Sequence, residues 1–417
     1  MIKRDLYQEL REHILKKEIT LITGPRQAGK TTLMMMLKDE LLKKGKKALY
    51  LNLDIEMDKQ FFGSQIDLLK KIELEIGKQG YVFIDEIQRK DDAGVFLKGI
   101  YDQNLPYKFI ISGSGSVELK EKVHESLVGR KRTFQLSTIS FKEFVNYKTN
   151  DKYDGKIINY FELEKGRTRR FLEEYISFGG YPRVVLDGIF KEKNSTINEI
   201  FQSYLEKDIY YLLKVKKSEL FINLIRVLAS QIGKIVNYSE LSNTLGLNIL
   251  TLKNYIWYLE KTFILKKVSP FYKNIRKEIS KAPIFYFHDL GMRNFILNVF
   301  GKIDSIPDKG FLFQNFIYNI LSKRLKETSA TINFWRTHEK AEVDFILNYG
   351  NKYIPIEVKY SSIKKPLVPR SLLSFIKKYG PERAFIINLD KNDIIKIDDT
   401  EIIFMPFYDL YNNLYLS

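Results

Sequence analysis

The eight residues Gly24-Pro25-Arg26-Gln27-Ala28-Gly29-Lys30-Thr31 constrain this chain more than any other feature of its sequence. They fit the pattern G-x-x-x-x-G-K-[ST], with an apolar run at 19–23 before them and an amphipathic stretch at 31–43 after them. A strand, a glycine loop and a helix in that order curl the backbone so that its N–H groups point inward at an anion. The positive N-terminal end of the helix lies behind them. The ligand chemistry that fits is a nucleoside triphosphate, ATP. Gly24 and Gly29 free the backbone, Lys30 reaches the β- and γ-phosphates, and the Thr31 hydroxyl meets Mg²⁺. Pro25, Arg26, Gln27, Ala28 and Thr32 complete the expected phosphate-facing set.

Short apolar runs at 19–23, 48–53, 81–84, 108–112 and 133–136 alternate with helical patterns such as 31–43 and 65–78. That alternation predicts an α/β fold with a parallel sheet covered by helices. The run Tyr81-Val82-Phe83-Ile84 ends in Asp85-Glu86. Asp85 is expected to hold Mg²⁺ through water and Glu86 to orient the attacking water. A strand ending in acids is common in isolation; beside the glycine loop it supplies the missing half of a catalytic site. The strand at 108–112 is expected next to the strand of the loop. Ser112 or Ser114 at its end then either senses the γ-phosphate or forms an ordinary Ser/Gly turn. Arg130 reads either as an arginine finger for a neighbouring subunit's γ-phosphate or as a strand-end arginine paired with a carboxylate.

These motifs resemble those of the bacterial and archaeal AAA-type ATP-binding proteins whose C-terminal half is a long-uncharacterised domain. The resemblance rests on residues 22–31, on Phe83-Ile84-Asp85-Glu86-Ile87-Gln88, and on Ser126-Leu127-Val128-Gly129-Arg130. It continues through Phe178-Gly179-Gly180-Tyr181-Pro182 and Tyr204-Leu205-Glu206-Lys207-Asp208-Ile209. It implies an AAA+ core followed by a winged helix and a restriction-endonuclease-like domain, and says little about biological role. The expected division is an ATPase domain at 1–150, a helical lid or connector at 151–215, a winged helix-turn-helix at 216–290 and a nuclease-like α/β domain at 291–417.

Charge supports a polyanionic partner. The chain carries 68 Lys/Arg against 51 Asp/Glu, a net +17, and about half of that excess falls between 211 and 285. Within that stretch, Tyr238-Ser239-Glu240-Leu241-Ser242-Asn243-Thr244-Leu245-Gly246-Leu247-Asn248 looks like the first half of a helix-turn-helix. Leu241 and Leu245 share a face, Gly246 permits the turn, and Asn248 is placed to cap the next helix. Thr251, Lys253 and Asn254 then lie on the outer face, where a recognition helix meets base edges. Residues 263–268 read as a wing strand leading to a basic loop containing Lys273, Arg276 and Lys277. Double-stranded DNA is the expected partner; an inter-domain strut with a solvated lysine face is the alternative. Tyr255, Trp257 and Tyr258 read as packing residues.

A last constellation is Asp344 in Glu342-Val343-Asp344-Phe345-Ile346, followed by Glu357 and Lys359 in Ile354-Pro355-Ile356-Glu357-Val358-Lys359. Alternate strand residues share a face, so Glu357 and Lys359 project together and a hairpin brings Asp344 beside them. Two hard carboxylates suit Mg²⁺ or Mn²⁺, and Lys359 is placed to position water or stabilise the transition state. The arrangement looks like the PD-(D/E)xK nuclease core; a pair of solvated strand-end acids is the bland reading. In the helix expected at 311–325, related proteins tend to carry an acid where this chain has Gln314, which lowers the charge available to a metal.

The absence of cysteine excludes disulfides, thiolate catalysis and cysteine-based zinc sites, and fits a reducing cytoplasm. The N-terminus predicts a charged amphipathic helix rather than a signal segment, and no apolar run reaches the ~18 residues of a membrane span. The four histidines show no metal-binding spacing. The whole sequence thus reads as an Mg²⁺-dependent, DNA-associated ATPase, possible as a homo-oligomer, coupled to a nuclease-like domain. The alternative is an ATP-driven switch whose last domain is a catalytically inactive partner-binding scaffold.

Overall fold

The computed structural model describes residues 2–114, 127–206, 209, 218–303, 306 and 309–412; Ser126, Lys207 and Asp208 of the motifs above lie outside them. The chain forms two compact units. One consists of Met1–Tyr147, Tyr181–Lys216 and Trp257–Ile264, the other of Lys148–Gly180, Lys217–Ile256 and Leu265–Ser417.

The first unit is built on five strands, β1 (Ile19–Gly24), β2 (Ala48–Asn52), β3 (Gly80–Asp85), β4 (Tyr107–Ser114) and β5 (Lys131–Gln135). They are all parallel, in the order β2-β3-β4-β1-β5. Each lies within two residues of its apolar run. A strand with both faces covered reads as a continuous apolar stretch, and side-chain alternation sorts it into two cores. Leu21, Val82, Ile84 and Ile111 pack with Leu68 and Ile72 of helix Gln65–Ile76 and with Leu97 and Ile100 of helix Ala93–Asp102. Ile22, Phe83, Ile110 and Phe134 pack on the other face with Leu33, Met34 and Leu37 of helix Lys30–Lys43. Because all strands run the same way, their C-terminal ends gather the P-loop, Asp85 and Ser112 at one edge of the sheet.

The second unit contains a six-stranded mixed sheet. After the antiparallel pair β6 (Leu265–Val268) and β7 (Ile284–Phe287) come β8 (Thr331–Arg336), β9 (Glu342–Asn348) and β10 (Tyr353–Val358). They are followed by β11 (Arg383–Asn388), β12 (Asp393–Ile397) and β13 (Thr400–Pro406). The sheet order is β12-β13-β11-β10-β9-β8. Neighbours are antiparallel across β8-β9-β10 and β12-β13, and parallel across β10-β11-β13. Trp335, Val343, Ile346, Phe375, Ile386 and Phe404 form its core with Phe271. The chain is therefore mixed α/β, with a five-stranded parallel sheet and a separate C-terminal mixed sheet.

One local expectation fails. Residues 273–277 are not simply a loop, because Asn274 Oδ1 accepts from the Arg276 and Lys277 N–H groups and caps a helix at Ile275–Ser280. The capping asparagine converts what charge alone marks as a solvated run into helical structure. The Gly179-Gly180 pair also gains a reason. A Cβ on Gly179, whose φ is +74°, would collide with Asp289 Oδ1, and the Gly180 N–H donates to Asp289 Oδ2 at 2.8 Å.

Candidate active site

The loop after β1 has the backbone its composition predicts. A Cβ on Gly24 would run into the carbonyl oxygen of Leu136, and Gly29 has φ +95°, in the left-handed region that favours glycine. Gly29 begins helix Lys30–Lys43, which has no side-chain cap and no acid in its first turn. Its N-terminal N–H groups and the positive end of its dipole are thus left for an external anion. Arg4 braces the loop from behind: Nη1 donates to the Ala28 carbonyl at 2.8 Å, and Nε donates to Glu143 at 3.3 Å.

Lys30 is 6% exposed. Its Nζ donates to the carbonyls of Gly24 at 3.2 Å and Pro25 at 2.9 Å. Thr31 Oγ1 donates to Asp85 Oδ2 at 2.6 Å, and Tyr50 Oη donates to the same oxygen at 2.8 Å. Ser112 Oγ donates to Asp85 Oδ1, which also accepts the Glu86 N–H at 3.0 Å. Burial, and after it the Asp85 carboxylate, push the Tyr50 phenol well above its ordinary range, so it remains a donor. Glu86 adopts φ +55° and accepts from Gln88 Nε2, which also donates to Ser114 Oγ at 3.1 Å. Lys30, Thr31, Asp85, Glu86, Ser112 and Ser114 therefore gather at the C-terminal edge of β1, β3 and β4. Thr31 and Asp85 offer the hydroxyl-plus-carboxylate oxygen set that suits Mg²⁺.

Arg130 lies elsewhere. It immediately precedes β5, whose first residue pairs with Ile19 at the start of β1. That places it at the opposite edge of the sheet from Gly24. Its Nε and Nη2 bind the two carboxylate oxygens of Asp102 at 2.7 and 3.2 Å. Arg183 was given no role by its sequence context, yet Nη1 reaches Gln27 Oε1 of the loop at 3.3 Å and Nη2 reaches Glu199 at 3.1 Å. Neither Arg4 nor Arg183 carries a sequence signal, since both arrive through the fold. The same holds for Tyr50, which in β2, two residues before its end, shares a strand face with Asn52, and it is the pairing of Asn52 with Asp85 that brings it to the site.

In the basic module, Asn237 caps helix Tyr238–Leu245, Gly246 follows it at φ +62°, and Asn248 Oδ1 accepts the Thr251 N–H at 2.7 Å. Helix Ile249–Lys261 comes next, and then the β6–β7 ribbon. Lys253, Asn254, Lys273, Arg276 and Lys277 are exposed and Thr251 is half-buried. Leu250, 71% exposed, shares the start of the helix. Tyr255 is buried against Phe221, with ring centroids 5.2 Å apart.

On the second sheet, Asp344 Oδ1 accepts from Gln314 Nε2 at 2.8 Å and Oδ2 accepts the Val358 N–H at 2.7 Å. Lys359 Nζ donates to Glu357 Oε1 at 2.7 Å, while Glu357 Oε2 is buried with no hydrogen-bond partner. Burial, followed by the charge of Glu357, raises the Asp344 carboxyl well above its ordinary range, and burial raises Glu357 too. Burial draws the Lys359 ammonium down, but Glu357 and Asp344 together hold it above its usual value. Asp344, Glu357, Lys359 and Gln314 therefore meet. Among the described residues no three His, Asp or Glu side chains are grouped to hold a metal ion. No helix among them is long and apolar enough to cross a membrane.

Comparison with known proteins adds the following. The model of an AAA domain matches residues 16–145. Two domains of unknown function, DUF8612 and DUF4143, match residues 169–302 and 309–408. An uncharacterised protein of Methanocaldococcus jannaschii is 27% identical over 367 residues, covering 86% of this chain and 78% of its own. One from Haemophilus influenzae is 25% identical over 418 residues, covering 97% and 98%. One from Mycobacterium tuberculosis is 25% identical over 391 residues, covering 92% and 79%. Among solved structures, AMPPCP-bound DnaA from Aquifex aeolicus is 17% identical with a TM-score of 0.29, covering 62% of this chain and 88% of its own. A signal transduction ATPase with numerous domains from Pyrococcus horikoshii is 13% identical at 0.30, covering 78% and 46%. Such scores fall short of a shared overall arrangement. The segment that matches the model of an AAA domain, residues 16–145, contains the glycine loop, Asp85 and Glu86 described above.

Proposed function

We propose that the chain is an Mg²⁺-dependent ATPase that binds duplex DNA and links the state of its nucleotide to its C-terminal domain. The observation that carries the first part is the 2.6 Å contact between Thr31 Oγ1 and Asp85 Oδ2 at the mouth of the P-loop. Thr31 and Asp85 would hold Mg²⁺, which would supply positive charge to offset that of the phosphates. Lys30 exchanges the Gly24 and Pro25 carbonyls for phosphate oxygens. Glu86 leaves Gln88 to orient the attacking water, and Ser112 and Ser114 line the edge where the γ-phosphate lies. Arg130, on the far edge from its own P-loop and paired with Asp102, could meet a nucleotide only on another copy.

The DNA part rests on the exposed Lys253, Asn254, Lys273, Arg276 and Lys277 around a capped helix pair and a two-stranded ribbon. This supports the winged-helix assignment of 216–290, between a helical connector at 151–215 and a nuclease-like domain at 291–417. For that last domain the catalytically inactive scaffold is favoured over metal-dependent cleavage by one contact. Gln314 presents an N–H donor to Asp344 where a cation would stand.

The test is phosphate release by the full chain with Mg²⁺, with and without duplex DNA. Stimulation by DNA is expected, and turnover indifferent to DNA sinks the coupling. Plasmid incubation with Mg²⁺ or Mn²⁺ is expected to show no cleavage, and nicking lost in Asp344→Ala returns the domain to catalysis.

A further inference from the structure

The edge of the parallel sheet opposite the P-loop holds an open cleft of about 850 Å³. It is lined by the segments that lead into β1, β2, β3 and β4, at 14–17, 45–47, 78–81 and 105–108. Six of the lining residues are lysines, Lys16, Lys17, Lys46, Lys47, Lys78 and Lys108, and none is an acid. Among the described residues none of the six is in an ion pair. Glu18 acts on Lys16 and Lys108 from outside the lining, and the remaining excess of positive charge on a concave surface raises the local concentration of anions.

The frame is fixed rather than loose. The Tyr81 N–H donates to the Lys47 carbonyl at 3.0 Å and the Gly80 N–H to Pro106 at 3.4 Å. Tyr107 Oη donates to the Gly77 carbonyl at 2.6 Å, and Lys108 Nζ donates to the Glu18 carbonyl. A Cβ on Gly80, whose φ is +157°, would come within 2.8 Å of the Lys47 carbonyl oxygen, so the two rims approach as closely as only glycine allows. Burial brings the Lys108 ammonium down to about 8, against the pull of Glu18, and an incoming anion would favour its charged form further.

Lysines are point charges without the planar fork of arginine, so they favour a string of phosphates over one bidentate group. Tyr81 and Tyr107, both half-buried, line the same cleft. Cations that track a backbone, interleaved with aromatic faces, are what single strands use.

We infer that this cleft binds single-stranded nucleic acid, at a site separate from the nucleotide loop and built from residues other than those of the basic helical module. β1 runs from the cleft at Ile19 to the loop at Gly24, about 17 Å at ~3.3 Å per residue. The two ligands therefore do not overlap, and the inference does not depend on ATP hydrolysis.

The test is fluorescence anisotropy of a fluorescein-labelled dT15 oligonucleotide with the full chain, in EDTA and without ATP. Lys46→Gln/Lys47→Gln/Lys78→Gln should bind at least tenfold more weakly. Three lost phosphate contacts, at ~0.7 each for a single strand, should flatten its log K against log salt slope by about 2. Lys16→Gln/Lys17→Gln, on a separate segment, should show a smaller loss of the same kind. Both variants should keep wild-type binding of a fluorescent ATP analogue, which shows that the unit is folded. Unchanged affinity and slope in the triple variant overturn the site. Displacement of dT15 by poly-L-glutamate as readily as by unlabelled dT15 of equal charge overturns the nucleic-acid identity in favour of an acidic peptide.

Discussion

Asp85 accepts from three hydroxyls, those of Thr31, Tyr50 and Ser112, and from the Glu86 N–H. Two of these partners are legible in the sequence, because the loop motif names Thr31 and the strand-end acids name each other. Tyr50 is not. An aromatic in an apolar strand reads as core, and only the placement of β2 beside β3 sets it against the carboxylate. Ser112 fits either a sensor or a turn by sequence, and its hydroxyl is engaged by Asp85. Arg183 and Arg4 are beyond any local pattern, since each is far in sequence from the loop residue it touches.

His13 yields a prediction at this scale. Burial, and next the charge of Lys108, pull its imidazole down to about 4, and Nδ1 lies 2.8 Å from Thr20 Oγ1. Between pH 6.5 and 4 the unfolded chain takes up a proton that the folded chain refuses, so stability falls as pH drops through that window. His13→Gln removes the titrating group. Its urea midpoint should change less between pH 7 and pH 4 than that of the wild type, while acid limbs of equal steepness would contradict the assignment.

At the scale of elements, strands buried on both faces are the easiest to read, and β1, β3 and β4 follow directly from their apolar runs, whereas β2 and β5 are only partly covered. β12 carries no such run because its residues alternate between half-buried and exposed, and β13 follows it after a short turn. The Ile275–Ser280 helix is hidden by its charge until Asn274 is recognised as a cap. If this helix and the one at Ile249–Lys261 face duplex DNA, reversing Lys273, Arg276 and Lys277 to glutamate should flatten the salt slope of duplex binding. The change should be about 3 units, at ~0.9 per phosphate contact. Unchanged affinity and slope would return the module to a structural strut.

Gln314 belongs to the same scale, because helix Lys309–Arg324 brings it to the strand pair that holds Asp344 and Glu357. Its departure from the acidic pattern is visible in sequence. Which end of the amide faces Asp344 is not, and the donor end facing it removes the need for a cation. Gln314→Glu puts a third carboxylate into a buried cluster. In EDTA it should melt below wild type, and Mn²⁺ should raise its midpoint more, with an apparent affinity about tenfold or more above wild type. A metal-independent midpoint in the variant would show that the cluster is no metal site.

For the whole molecule, the division of labour follows from which edge of the parallel sheet each group occupies. Arg130 sits at the edge where β1 begins and cannot reach the loop where β1 ends. Its exposed pairing with Asp102 is readily exchanged for a phosphate. If it serves a neighbouring copy, specific ATP turnover should rise with protein concentration, and Arg130→Ala should bind ATP while losing about a thousandfold in rate. Rates strictly proportional to concentration across the range where the chain assembles would count against it.

The central claim is that the P-loop, Asp85 and Glu86 form a working hydrolytic site, and Mg²⁺-dependent phosphate release by Glu86→Gln beside the wild type tests it most directly. Wild type should turn over ATP. Glu86→Gln should bind a fluorescent ATP analogue with wild-type affinity and release phosphate at least about 100-fold more slowly, since only the carboxylate that orients water is lost. Lys30→Ala, measured in the same assay, should lose tight binding as well. Phosphate release by Glu86→Gln at the wild-type rate, or by Lys30→Ala with wild-type affinity, would contradict the account.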